Sequence, residues 1–300
     1  MLEVKIANLK LKNPTILASG IMGESSGSLI RVAKSGAGAL VTKSIGSDAR
    51  IGYPNPTVVE LECGILNSMG LPNPGIEEFG KEIEDIKGID IPIIGSIFGR
   101  DKEEFSMLAK RMEEYGLDAI ELNLSCPHAK GYGLEIGGDP DLVKSITREV
   151  KRNVSIPVFP KISANVRDVV EIGKAVEEGG ADGIVAINSV KAMKIDLSTK
   201  KPILHNKFGG YSGRGIKPIG VRCVYELASE LSIPVIGVGG IETGKDAAEY
   251  ILAGATAVEI GSAIFYRDVD VFRKVCQELE EWMKDNGYES IEDFRGLALR

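Results

Sequence analysis

A chain of 300 residues, 43% hydrophobic and 26% charged, is long enough for one large core or two smaller ones. Its formal net charge of −7 and isoelectric point near 5.2 argue against a general nucleic-acid surface. Cys63, Cys126, Cys223 and Cys276 lie far apart with no CxxC pair, so no disulfide framework is expected and a reducing cytoplasm is the simplest compartment.

The opening "MLEVKIANLKLKNP" alternates and carries lysines, which predicts a small strand pair rather than a signal peptide. No run of eighteen apolar residues occurs, so a spanning helix is not expected. Eight apolar, β-branched runs follow: 15–20, 39–44, 92–99, 119–125, 157–163, 183–189, 234–240 and 257–264. Such nearly continuous runs suit strands buried on both faces of a parallel sheet.

Helical patterns fill the intervals. In "DKEEFSMLAKRMEEYG", Asp101 is the expected N-cap, and the glutamates after it suit the positive helix end. Phe105, Leu108, Ala109 and Met112 share one face, and Gly116 suits a left-handed cap. The endings "SGAGAL", "YGLDAI", "GGADGI" and "AGATAV" repeat one helix-to-strand connection, as α/β units wound in one direction would. Strand starts are spaced by roughly 24, 53 and 27 residues, then by 26, 51 and 23 in the second half. The expected fold is therefore a (β/α)8 TIM barrel spanning 1–300 as a single domain. A small N-terminal hairpin precedes it, and insertions follow strands two and six.

A barrel of this kind places chemistry in the loops at the carboxyl ends of its strands. "GVGGIETG" after strand seven and "EIGSAI" at strand eight carry Gly239, Gly240, Gly261 and Ser262. Their backbone N–H groups suit an anion such as a phosphate, although tight turns would use the same glycines. The GxGG pattern lacks the GxGxxG spacing of a dinucleotide fingerprint.

Lys43 in "VTKS" and Lys161 in "FPKIS" alternate with apolar residues at strand ends. An unpaired buried ammonium is costly, so both are expected to face an anion or an electron-rich ligand. Asn67, Asn123 and Asn188 suggest a flat ligand with several amide-like donors and acceptors, or amides that satisfy local backbone.

In "LNLSCPHAKGYG", Pro127 ends the strand and puts Cys126 at its exit. A zinc site at Cys126 and His128 lacks the further ligands it would need, so no metal is expected. Cys126 suits either a nucleophile or a proton acceptor, and residue chemistry leaves that choice open.

In this order, "TKS", "NSMGLPNPG", "LNLSCP", "PKIS", "INS", "PILxxxxGGYSG", "GVGG" and "GSA" resemble class 1 dihydroorotate dehydrogenase from about residue 5 to 270. Class 2 members use a serine base and carry an N-terminal membrane extension, so Cys126 and the short N-terminus point to class 1. The resemblance implies an FMN-binding barrel that oxidises dihydroorotate to orotate in pyrimidine synthesis. It makes Cys126 the base that takes a proton from C5, while hydride passes from C6 to the flavin. Lys43, Asn67, Met69, Gly70, Leu71, Asn123, Asn188 and Ser189 would bind substrate. Ser19, Lys43, Ser44, Asn123, Lys161, Ile187 and Gly213 would contact FMN, with Gly239, Gly240, Gly261 and Ser262 around its phosphate.

The family often has asparagine where this chain has His128, so no contact is assigned to that residue. The loop "HAKGYGLEIGG" looks closest to the NAD-linked class 1B catalytic subunit. That likeness implies a partner subunit carrying FAD and an iron–sulfur cluster, in a heterotetramer built on a homodimer, with no nucleic acid and no membrane. Two alternatives stand beside it: a dihydropyrimidine dehydrogenase-type FMN enzyme, and a non-catalytic flavin- or phosphate-binding subunit.

Overall fold

Eight parallel strands close on themselves in chain order: Thr15–Leu17, Ala39–Val41, Ile93–Ile97, Ala119–Asn123, Val158–Ile162, Ile184–Ala186, Val235–Val238 and Ala255–Ile260. The computed structural model describes residues 1–124 and 134–300, except for the side chains of residues 134 and 135. All eight expected strands are present, and each consists of buried residues. Burial on both faces explains their near-continuous apolar character: one face fills the barrel, the other packs under helices.

The expected hairpin is also present, with Val4–Ile6 antiparallel to Leu9–Leu11. The helix Lys102–Glu114 starts at Asp101, whose carboxylate accepts from the Glu104 N–H at 2.9 Å. Its four expected core residues, Phe105, Leu108, Ala109 and Met112, are fully buried. At the four repeated connections, Gly36, Gly116, Gly180 and Gly254 all adopt left-handed backbone, with φ from 86° to 109°. A side chain there would be strained, so the repeat marks a turn that glycine makes cheaply.

The two insertions form one structure rather than two separate excursions. Val58–Leu61 and Gly64–Asn67 make a hairpin after barrel strand two. Val190–Ala192 and Gly209–Ser212 make another pair after strand six. Gly210 then pairs with Asn67 and Ser212 with Ile65, joining them into one four-stranded antiparallel sheet beside the barrel mouth. Periodicity locates each insertion, but it carries no information on pairing between segments so far apart in the chain.

Among the described residues, no helix is long and apolar enough to cross a membrane.

Candidate active site

At the carboxyl ends of the strands lies a cavity of about 430 Å³, within the range of small-molecule sites. Its wall brings together every expected site residue that the structure describes. Lys43, Asn67, Met69, Gly70, Leu71, Asn123, Asn188 and Ser189 contribute to it, as do Ser19, Ser44, Lys161, Ile187 and Gly213. Gly239, Gly240, Gly261 and Ser262 complete the set. These residues span 19 to 262 in sequence, so the closed barrel and the insertion sheet are what assemble them. Cys126 and His128 lie outside the described residues.

Backbone geometry fits the expectation of a glycine cradle. Gly239 and Gly240, directly after strand seven, have φ of 126° and 71°. A Cβ on Gly240 would sit 2.6 Å from the Gly213 carbonyl oxygen, so this loop tolerates no side chain there. The following helix, Gly244–Leu252, is capped by Thr243, whose hydroxyl accepts from the Asp246 N–H while Asp246 returns the bond.

The amides are held in different ways. Asn123 ends barrel strand four and donates from Nδ2 to Ser44 Oγ at 3.0 Å. Asn67 ends a strand of the insertion sheet and donates to the Gly210 carbonyl at 3.4 Å. Asn188 lies two residues past strand six, and its Oδ1 accepts from the Ser189 N–H at 2.7 Å. The two insertions therefore set the position of Asn67 jointly.

The lysines differ sharply. Lys43 lines the cavity half-buried and makes no ion pair among the described residues. Lys161 is 4% exposed and enclosed by two carboxylates. Its Nζ lies 2.5 Å from Glu259 Oε2 and 3.3 Å from Glu121 Oε2, and it also donates to Ser19 Oγ at 3.4 Å. Lys161 thus faces anions, and those anions are carboxylates of the protein itself.

Glu121, Lys161 and Glu259 are the only charged residues that are buried among those described. Burial alone would lower the Lys161 pKa, but the two carboxylates hold it above the ordinary lysine value. Burial pushes the Glu259 carboxyl up to about 8; Lys161 opposes the rise and the Glu121 charge adds to it. Glu121 is tied on its other side to a serine chain. Ser96 Oγ donates to Glu121 Oε1 at 2.9 Å, and Ser44 Oγ lies 2.9 Å from Ser96 Oγ. One polar network therefore runs across the barrel from Asn123 through Ser44, Ser96, Glu121 and Lys161 to Glu259.

Glu121, Ser96 and Glu259 were not among the expected site residues. The available signal was the same one that picked out Lys161: a charge inside an apolar strand. "AIELN" and "AVEIG" each carry one, in opposite sign to "FPKIS". Three such charges in one barrel interior predict mutual pairing, since none could be buried alone.

Comparison with known proteins fits this geometry. The family model described as dihydroorotate dehydrogenase matches residues 1–283. The Methanocaldococcus jannaschii dihydroorotate dehydrogenase B (NAD(+)) catalytic subunit is 52% identical, covering 99% of this chain and 98% of the relative. The Pyrococcus abyssi protein of the same name is 53% identical over the full length of both chains. A crystal structure of Eimeria tenella DHODH in complex with ferulenol shares the fold, with a TM-score of 0.86 at 24% identity. It covers 100% of this chain and 89% of that one. With a matching model over nearly the whole chain and half-identical relatives along its length, this chain belongs to the dihydroorotate dehydrogenase family.

Proposed function

We propose that this chain is the catalytic subunit of an NAD-linked dihydroorotate dehydrogenase, which oxidises dihydroorotate to orotate on FMN in pyrimidine synthesis. The observation that carries the reading is the cavity: it gathers all the expected substrate and cofactor residues that the structure describes. Its shape fits a flavin nucleotide in two respects. The Gly239–Gly240 turn leaves open backbone where a phosphate needs close N–H approach, and the charged floor at Lys161 suits an electron-rich ring edge.

FMN, when bound, would supply the hydride acceptor for C6 of the substrate. The remaining work falls to this chain. Lys43, which unlike Lys161 lines the cavity with no ion pair among the described residues, would neutralise the substrate carboxylate. Asn67, Asn123, Asn188 and Ser189 would hold the ring by hydrogen bonds, with Met69, Gly70 and Leu71 closing over it. Ser19, Ser44, Ile187 and Gly213 would flank the cofactor, and Gly261 and Ser262 would join Gly239 and Gly240 around its phosphate. Cys126 Sγ would take the C5 proton; an ordinary thiol pKa of about 8.5 needs only modest tuning for that.

The relatives are named catalytic subunits, which supports a partner. That partner would carry FAD and an iron–sulfur cluster toward NAD, since this sequence has no clustered cysteines and no dinucleotide fingerprint. A homodimeric core within a heterotetramer and a cytoplasmic location complete the proposal.

An anaerobic absorbance titration of the purified chain tests the reading. A flavin spectrum that bleaches with dihydroorotate is expected. Bleaching by dihydrouracil instead would move the chain to the dihydropyrimidine dehydrogenase type, and no flavin uptake would overturn the FMN assignment. Cys126→Ser should keep the flavin spectrum and slow bleaching by roughly 10²–10⁴-fold. Unchanged bleaching would remove Cys126 from the base role.

A further inference from the structure

The buried cluster at the cavity floor holds one cation against two carboxylates, and that imbalance has a chemical consequence. With all three groups ionised, the barrel interior would carry an uncompensated negative charge beneath the cavity, which is costly to bury. Both carboxylates approach the same Lys161 Nζ, Glu259 Oε2 at 2.5 Å and Glu121 Oε2 at 3.3 Å. One ammonium balances one carboxylate, so a neutral cluster must hold a proton on the other.

We propose that Glu259 is a positioning residue that stores a proton at neutral pH, keeps the Lys161 cluster neutral, and ties charge on the reduced flavin to proton uptake from solvent. The inference rests on the flavin reading given above. Hydride transfer delivers two electrons and one proton to the ring, leaving one negative charge on it. Above the pH at which Glu259 ionises, that new charge favours the protonated carboxyl. Reduction then draws one proton from solvent onto a Glu259 oxygen, and reoxidation releases it.

Among the described residues the other carboxylate on Lys161, Glu121, already accepts from Ser96 Oγ at 2.9 Å, whereas Glu259 lines the cavity itself. Strands seven and one flank Glu259 with Val238 and Ile16 in register, neither of which titrates. Lys161 comes from strand five and Glu121 from strand four, while Lys43 lines the same cavity. The direction of the Glu259 shift, upward to about 8 with burial as its main cause, agrees with a retained proton.

Two measurements on the purified, flavin-loaded chain test this. pH-difference infrared spectra should show a protonated-carboxyl band at neutral pH that disappears with a midpoint near 8, and Glu259→Gln should lack it. The midpoint potential of the flavin against pH should run parallel in the two proteins below about pH 8 and diverge above it. There the native equilibrium constant for reduction should fall by up to tenfold more per pH unit, about 30 mV for a two-electron couple. A band absent from the native protein, or parallel potentials across the whole range, would overturn the proposal while leaving the flavin assignment intact. A chain that binds no flavin but keeps the band would instead sink the assignment, and the coupling with it.

Discussion

The two faces of the same barrel strands solve opposite problems. Side chains alternate along a strand, so in Ala119–Asn123 the residues Ala119, Glu121 and Asn123 share one face while Ile120 and Leu122 share the other. The outer face meets helices such as Lys102–Glu114, whose Phe105, Leu108, Ala109 and Met112 are fully buried and apolar. The inner face, near the cavity, carries a buried lysine, two glutamates, two serines and an asparagine in one connected network. The outer face contributes stability by removing apolar area from water, whereas the inner face needs every polar group matched. A fold that keeps so costly a floor beneath a cavity does so for its electrostatics rather than for its strength.

Removing the cation should break the inner face hardest. Lys161→Met leaves Glu121 and Glu259 facing each other without a counter-charge, at an expected cost of about 3–5 kcal/mol in unfolding free energy. The variant should also emerge from gel filtration with little flavin. Denaturant unfolding and flavin absorbance would check both; loss of flavin with unchanged stability would mean that the cluster is not structural. On the outer face, Leu108→Ala should cost about 2–5 kcal/mol by opening a cavity. Its flavin spectrum and substrate bleaching should stay native at temperatures where it is folded, and an altered flavin spectrum would show that the faces are not separable.

The pH dependence of stability sharpens the comparison further. Glu259 has a folded pKa of about 8, above an ordinary glutamate value of roughly 4.3. The native state thus holds a proton that the unfolded chain releases, so this group's contribution to stability falls as pH rises from the ordinary value to about 8. Glu259→Gln should remove that slope. Relative to the native chain it should gain on the order of 4 kcal/mol between pH 5 and pH 9, read by thermal or urea unfolding at both values. Equal pH slopes in the two proteins would place the titrating group elsewhere.

The outer face was largely legible in the sequence, because it follows local rules. Asp101, the apolar stripe behind it and the four glycine-ended connections each depend on residues within one helix and its turn. The site was legible only where residue chemistry was unusual, as at Lys43, Lys161 and the glycines of strands seven and eight. Glu121 and Glu259 stand 138 residues apart, and no local pattern says that both meet Lys161. The joined insertion sheet was hidden for the same reason: the Gly210–Asn67 pairing is set by barrel closure, not by either segment.

The smallest effect probes whether a purely local device stays local. Asp101 caps the helix behind strand three, and replacing such a cap by alanine typically costs about 1 kcal/mol. The same first turn also holds Glu104, which accepts from the Arg100 N–H at 2.8 Å and from Ser47 Oγ at 2.5 Å. Ser47 lies in the loop that leaves strand two just past Lys43 and Ser44, so the cap and the cavity wall share one anchor. If Glu104 keeps that anchor on its own, Asp101→Ala should lose about 1 kcal/mol and leave the affinity for dihydroorotate unchanged. A weakened affinity at undiminished flavin content would show that the helix cap positions Lys43 through Glu104 and Ser47, joining the two faces at this corner.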